Sequence, residues 1–155
     1  MQNLTNIISN AWSVPEDLSV SEWARKYIRL PQSPYGTRYV PELSPWLEQP
    51  LELLKDPNVK EIVLNCSAQS SKSTFLLIGL AWSLAEDPSP QMFVLPTDEQ
   101  SRKHARQRIL PLLESCEKLK HLLPVDKSER MQREILFPRG SLQVGAANPS
   151  FAQAF

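Results

Sequence analysis

Several features of secreted, membrane and strongly nucleic-acid-binding proteins are missing from this sequence. Only two cysteines occur in 155 residues, which excludes a disulfide framework and a cysteine-based metal site. No basic segment followed by an apolar core begins the sequence, and no apolar run reaches the length of a membrane span. Seventeen basic residues balance seventeen acidic ones, so any contact with a nucleic acid must come from a local patch. We therefore expect a cytosolic protein with reduced thiols and no membrane contact.

Glycine is also scarce, with four glycines against fourteen prolines. This balance indicates rigid rather than flexible connecting segments. The hydrophobic content of 41% and the charged content of 22% are ordinary for a globular chain, so the scarcity of glycine does not signal disorder. The length is that of one domain with a substantial core.

The stretch EIVLNCSAQSSKST, residues 61–74, has the order of a phosphate-binding loop. Its apolar residues 62–64 predict a buried central strand, and the apolar run 75–82 predicts a helix. A small polar turn between them ends in Lys72 and Ser73. In such a layout, backbone N–H groups and the positive end of the helix dipole bind an anion. The lysine then reaches the outer phosphates, and the hydroxyl of Ser73 completes the shell of a magnesium ion.

Both glycines of this loop pattern are replaced. When G-x-x-x-x-G-K-[ST] is aligned on Lys72, Cys66 and Ser71 occupy the glycine positions. Glycine serves there because it accepts a positive φ and allows close approach of the backbone to a ligand. A serine in the left-handed conformation costs about 1–2 kcal/mol, so we expect Ser71 to strain or re-aim the loop. The alternative is a buried strand and a helix joined by a serine-rich turn, with a solvated Lys72.

If the loop binds a nucleotide, Gln69 and Ser70 are expected over the β- and γ-phosphates; otherwise both are turn residues. The residues predicted to contact the nucleotide are Ser67, Ala68, Gln69, Ser70, Ser71, Lys72, Ser73 and Thr74. Aromatic residues before the loop could stack on an adenine, but we expect core packing for most of them. These residues are Trp23, Tyr27, Tyr35, Tyr39 and Trp46.

The other patterns predict helices that alternate with strands. Predicted helices cover residues 2–12, 20–27, a short stretch from Ser44, about 72–85, and about 98–113 with a kink near Pro111. Predicted strands cover 62–64, 92–95, 134–137 and 141–144, the last two joined in a hairpin. Ser19 and Glu22 have the spacing of a capping box, Ser44 precedes a proline as a cap does, and Thr97 is a suitable N-cap. This order favours an α/β domain with a mostly parallel sheet.

Basic residues are concentrated in one place, residues 101–108. Arg102 and Arg106 lie one helical turn apart with Lys103 beside them, so a positive helix face could meet a nucleic-acid backbone. The alternative is an ordinary solvated face. His104, within the same run, has no second histidine nearby with which to bind a metal.

A strand that ends in an Asp-Glu pair is missing from the sequence. A nucleoside triphosphatase with this loop needs one carboxylate for magnesium and one to activate water. Glu61 and Glu134 begin predicted strands rather than end them, which places them at the wrong edge of a parallel sheet. We therefore expect little or no ATP hydrolysis by this chain alone.

Several short segments occur in a definite order along the sequence. They are Ser21-Glu22-Trp23-Ala24 with Lys26-Tyr27, Asp56-Pro57-x-Val59, Ser67-Ala68-Gln69-x-Ser71-Lys72-Ser73, Pro96-Thr97, Arg108-x-x-Pro111 and Gly145-Ala146-x-x-Pro149-Ser150. In these segments and their order, the sequence resembles the N-terminal part of the large terminase subunit of tailed phages, in the lambda-type GpA group. Family members usually have Ser-Ala-Gln-x-Gly-Lys-[Ser/Thr] at the loop, so Ser71 departs from the pattern, as does Cys66 at a position that is often basic.

The resemblance implies a P-loop NTPase-like fold with three layers and a mostly parallel sheet, incomplete at its C-terminus. A helical and proline-rich lead-in over residues 1–57 would pack on a partial ATPase core over 58–155. The implied cofactors are ATP and Mg²⁺. The implied role is in a motor that moves double-stranded DNA into the capsid, with the terminase small subunit and the phage portal or procapsid as partners, in the cytoplasm of a bacterial host. The family's acidic Walker B strand follows the Gly-Ala-x-x-Pro-Ser segment, and its nuclease is a separate domain.

Two other interpretations stay open. In the first, the loop is inert, the chain is a non-catalytic interaction protein, and its sheet edge pairs with another chain, for example in self-association. In the second, the chain is a small-molecule phosphotransferase, although this leaves the proline-rich lead-in and the terminase-like spacings unexplained.

Overall fold

A computed structural model describes residues 17–30, 38–124 and 134–148. The predicted helix over 2–12 and the aromatic Tyr35 lie outside these residues. The helices are α1 (Val20–Tyr27), α2 (Glu48–Glu52), α3 (Lys72–Glu86), α4 (Asp98–His104) and α5 (Leu110–Ser115). The strands are β1 (Gln91–Leu95), β2 (Glu134–Phe137) and β3 (Gly140–Ala146). Short 3₁₀ turns cover Pro41–Leu43, Pro45–Leu47 and Leu53–Lys55, and a π-helical stretch, Ala105–Ile109, joins α4 to α5.

The sheet has three strands in the order β1-β3-β2. β1 and β3 are parallel, with Gln91 opposite Leu142, whereas β2 and β3 form the predicted hairpin, with Phe137 opposite Gly140. Gly140 is required at this turn because a Cβ there would lie 2.7 Å from the carbonyl oxygen of Ser89. The prediction of a mixed α/β chain is confirmed. The prediction of a mostly parallel sheet is wrong for the described residues, since one of the two pairings is antiparallel.

The predicted central strand at residues 62–64 is also wrong. Residues 59–67 contain no regular secondary structure, and the Val63 side chain is 77% exposed. Ile62 and Leu64 are half-buried and pack against the core, so side chains alternate as they do in a strand. No strand within the described ranges pairs with this segment, however, so the apolar run forms an extended stretch at the periphery of the core.

Helix α3 runs through the hydrophobic core. Its buried face carries Phe75, Ile78 and Leu84, and it contacts α1 and α5. The 3₁₀ turn at residues 53–55 comes close to the same helix, because a Cβ on Gly79 would lie 3.3 Å from Leu54. Helix α4 contacts both β1 and β3. Helix α3 begins at Lys72, directly after the loop. No helix of the described residues is long and apolar enough to cross a membrane.

The long helix predicted over 98–113 is divided at its middle. Regular α-helix ends at His104, and five residues of π-helix precede Leu110. Pro111 explains the irregularity, because it lacks the N–H that would bond the Gln107 carbonyl and its ring crowds that position. The predicted kink near Pro111 is therefore spread over the preceding turn.

Candidate phosphate-binding site

The loop of residues 66–71 connects the extended segment to α3 through two left-handed residues. Gln69 has φ 58° and Ser71 has φ 63°, the two positive φ values among non-glycine residues of the described chain. Each costs a residue with a Cβ about 1–2 kcal/mol, and such strain is concentrated at functional sites. Ser71 thus adopts the backbone conformation for which the loop pattern uses glycine.

The ammonium of Lys72 folds back across this loop. Its Nζ donates to the carbonyl oxygen of Cys66 at 2.9 Å, to that of Ser67, and more weakly to the hydroxyl of Ser70 at 3.5 Å. The alternative interpretation expected a solvated Lys72; in the structure its ammonium is instead bonded to oxygens of the loop. All three acceptors are neutral, so they hold the ammonium in place without cancelling its charge. An anion at the loop would meet a fixed positive group.

The first turn of α3 leaves its N–H donors without a side-chain cap. Ser71 is the N-cap residue, but its hydroxyl makes no capping bond, and no acidic residue lies in the first turn. Since the first N–H groups of a helix have no partner within the helix, they can bind an anion, assisted by the helix dipole. Ser73 is exposed at this end and Thr74 is half-buried.

Two residues at the second 3₁₀ turn, Ser44 just before it and Trp46 within it, make hydrogen bonds to the loop. The hydroxyl of Ser44 lies 2.9 Å from that of Ser71, and the indole N–H of Trp46 donates to the carbonyl of Ser70 at 3.0 Å. As predicted, a short helical segment begins at Pro45 with Ser44 as its N-cap residue, but the Ser44 side chain makes no capping bond. Trp46 is 53% exposed and is therefore an exception to the core packing expected for most of the aromatic residues. The partners are separated by 27 positions in the first contact and by 24 in the second, so no local sequence pattern predicts these contacts.

Core packing is confirmed for other aromatic residues. Trp23 and Tyr39 are both 3% exposed, and the rings of Trp23 and Tyr27 lie 5.5 Å apart. The indole N–H of Trp23 donates to the carboxylate of Glu86 at 2.6 Å, which ties α1 to the end of α3.

The three predicted nucleic-acid residues lie together on the surface. Arg102, Lys103 and Arg106 are exposed and line one groove of about 550 Å³. Asp98, Glu99 and Gln107 complete its lining, so its N-terminal end carries carboxylates. Burial, followed by the charge of Arg108, lowers the pKa of His104, which keeps this histidine neutral at neutral pH. The positive charge of the face is thus carried by its arginines and lysine.

No strand of the described residues is followed directly by an Asp-Glu pair. β1 is followed by Pro96 and β3 by Ala147, and Glu134 begins β2. Glu61, predicted to begin a strand, lies outside any strand. Within the same residues, no group of three or more His, Cys, Asp or Glu side chains could hold a metal ion. A magnesium ion at Ser73 would therefore depend on the phosphates of a nucleotide.

Comparison of the sequence with models of known protein families identifies the family of this chain. The model of the family described as "Phage terminase large subunit gpA, ATPase domain" matches residues 33–151, which is well over half of the chain. No match was found among the curated proteins. The family match covers the loop, α3, the sheet and the basic helix, and it confirms the resemblance to GpA-type terminases. This chain belongs to the family of ATPase domains of the phage terminase large subunit gpA.

Proposed function

We propose that the chain binds ATP with Mg²⁺ at residues 67–74, as the nucleotide-holding part of a motor that moves viral DNA into the capsid. The observation that carries this proposal is the fixed Lys72 ammonium beside an uncapped helix start. The N–H groups of the first turn of α3 would bind phosphate oxygens. Lys72 would exchange its loop acceptors for the outer phosphates, and Ser73 would supply a hydroxyl to the magnesium ion. The donor set suits this group, because it holds a cation and several N–H donors and no carboxylate that would repel the phosphates.

Hydrolysis by this chain alone is proposed to be negligible. The support is the absence from the sequence of an apolar run followed by Asp-Glu. Correctly placed carboxylates and their metal typically contribute several orders of magnitude in rate. In this proposal the described residues hold and orient the nucleotide without an Asp-Glu pair directly after a strand to activate water.

For the wider fold we propose a three-layer, P-loop-like arrangement in which residues 1–57 pack as a lead-in on a core of 58–155. The contact of α1 with α3 supports it. The face of Arg102, Lys103 and Arg106 is proposed to contact the phosphate backbone of double-stranded DNA, since its charges are exposed and line one groove. Family membership supports the terminase small subunit and the phage portal or procapsid as partners, in the cytoplasm of the bacterial host.

A second candidate function is supported by the sheet. β1 and β2 are both edge strands of the described sheet, and they expose Val94 by 44% and Leu136 by 66%. Exposed edges of this kind pair with other chains. Self-association that depends on concentration, without nucleotide binding, would favour a non-catalytic interaction protein.

Calorimetric titration with ATP·Mg²⁺ tests the main proposal. Saturable heat is expected for the wild-type chain and its loss for Lys72→Ala, because the ammonium is the one charged group fixed across the loop. Lys120→Ala, at an exposed lysine in the segment after α5, is the matched control and should bind as the wild type does. Absence of heat with the wild-type chain would contradict the nucleotide site.

A further inference from the structure

Ser44 is buried but polar, and its hydroxyl is directed to the strained residue of the loop. It is 6% exposed, one of three buried polar residues among those described. Its Oγ lies 2.9 Å from the Oγ of Ser71, whose φ is 63°. A buried hydroxyl needs a partner, and here the partner is the residue that occupies the glycine position.

The backbone around Ser44 suits it to act as a support. Pro41 and Pro45 each begin a 3₁₀ turn on either side of it, and proline fixes φ. Two residues further along, Trp46 donates to the carbonyl of Ser70 at 3.0 Å. One rigid segment therefore contacts two successive residues of the loop.

We propose that Ser44 is a positioning residue that holds Ser71 in its left-handed conformation, so that the Ser44–Ser71 pair does what a glycine does elsewhere. The cost of a left-handed serine and the net worth of one hydrogen bond are of the same order, so one bond can offset the strain. Trp46 assists by fixing the neighbouring carbonyl. The consequence for phosphate binding rests on the proposed nucleotide site; the effect on the loop itself does not.

The proposal makes the effect of Ser44 depend on what occupies position 71. In the wild-type loop, Ser44→Ala removes the support of a strained residue. In a Ser71→Gly background the glycine adopts a positive φ unaided. There Ser44→Ala removes a hydroxyl that has already lost its partner, and should be neutral or slightly stabilising.

Four proteins test whether Ser44 positions Ser71: the wild type, Ser44→Ala, Ser71→Gly and the double variant. Two measurements are made on each, the thermal unfolding midpoint without ligand and the affinity for ATP·Mg²⁺ by calorimetry. Ser44→Ala is expected to lower the midpoint by about 2–4 °C and to weaken binding roughly tenfold in the wild-type background, and to change neither in the Ser71→Gly background. Trp46→Phe, which keeps the ring and removes the N–H, should give a smaller loss. Ser83→Ala, about 16 Å further along α3, is the control and should have the same effect in both backgrounds.

Equal effects of Ser44→Ala in both backgrounds would make Ser44 an ordinary buried serine and overturn the proposal. So would no effect of Ser44→Ala in the wild-type background. If none of the chains binds ATP·Mg²⁺, Ser71→Gly included, the nucleotide site fails. The unfolding midpoints then still decide whether Ser44 positions the loop.

Discussion

Three helices of this chain begin in two different ways. α1 starts with a reciprocal capping box, in which Ser19 accepts from the Glu22 N–H and Glu22 accepts from the Ser19 N–H, both at 3.1 Å. α4 starts with Thr97, which accepts from the Gln100 N–H at 3.2 Å, and has two acidic residues in its first turn. α3 starts with a left-handed residue, no side-chain cap and no acidic residue. At α1 and α4 side chains satisfy N–H donors of the first turn, whereas at α3 those donors have no side-chain cap, as the proposed phosphate site requires.

The largest expected effect comes from placing an acidic residue in the first turn of α3, as α1 and α4 already have. Ser73→Glu places a carboxylate in the first turn. It should stabilise the helix by about 0.3–1 kcal/mol through the dipole while it weakens ATP·Mg²⁺ binding at least about a hundredfold, roughly 2.8 kcal/mol, by repelling the phosphates. Urea unfolding and calorimetric titration measure the two effects on one protein.

The matched control makes the same kind of change at α4. Gln100→Glu adds a carboxylate to the first turn, at the third position after the Thr97 cap, and should leave nucleotide affinity unaltered. If Ser73→Glu binds ATP·Mg²⁺ as tightly as the wild-type chain, the start of α3 is an ordinary helix terminus.

A smaller effect is expected at α1. Ser19→Ala removes the cap and should lower the free energy of unfolding by about 1 kcal/mol, measured by urea denaturation, with no change in ATP·Mg²⁺ affinity. Ser19→Gly, which retains the preferred backbone of a cap, should cost only a few tenths of a kcal/mol. A loss of nucleotide binding in Ser19→Ala would mean that the two kinds of helix start are not separate.

The smallest effect is a dependence on pH. The hydrogen bond from the Ser19 backbone N–H, followed by the bond to its side chain, lowers the pKa of Glu22. A lowered carboxyl pKa gives stability that is present above the ordinary value, about 4.3, and is lost as the pH falls through the folded-state value. An NMR titration of the Glu22 side chain should show this lowered pKa. Ser19→Ala keeps the backbone N–H and removes only the side-chain contribution, so it should raise the pKa only part of the way to its ordinary value. A Glu22 pKa at its ordinary value in the wild-type chain would count against the capping box.

The helix starts at Ser19 and Thr97 could be predicted from sequence because a cap and its partner lie three residues apart. The hairpin was equally local, and the family followed from motifs whose order spans the chain. The prediction of a strand at residues 62–64 failed for a physical reason. An apolar β-branched run predicts extended backbone, but it cannot show whether a neighbouring strand is present to pair with it.

The support of the loop could not be predicted, for a different reason. Ser44 and Ser71 are 27 residues apart, and each has an ordinary local explanation, a cap in one case and a turn in the other. Only the packing of the proline-rich segment against the loop brings the two hydroxyls together. The loop pattern identified the position of strain at Ser71 but not the residue that offsets it.

The central claim, that the start of α3 receives phosphate and the starts of α1 and α4 do not, is tested most directly by NMR. A ¹⁵N-labelled chain is titrated with ATP·Mg²⁺ while the backbone amides at the three helix starts are followed. Saturable shifts are predicted for Lys72, Ser73 and Thr74, with the amides of Glu22 and Gln100 unmoved because their N–H groups are already bonded to side chains. Unshifted amides at the start of α3, or equal shifts at all three helices, would contradict the account.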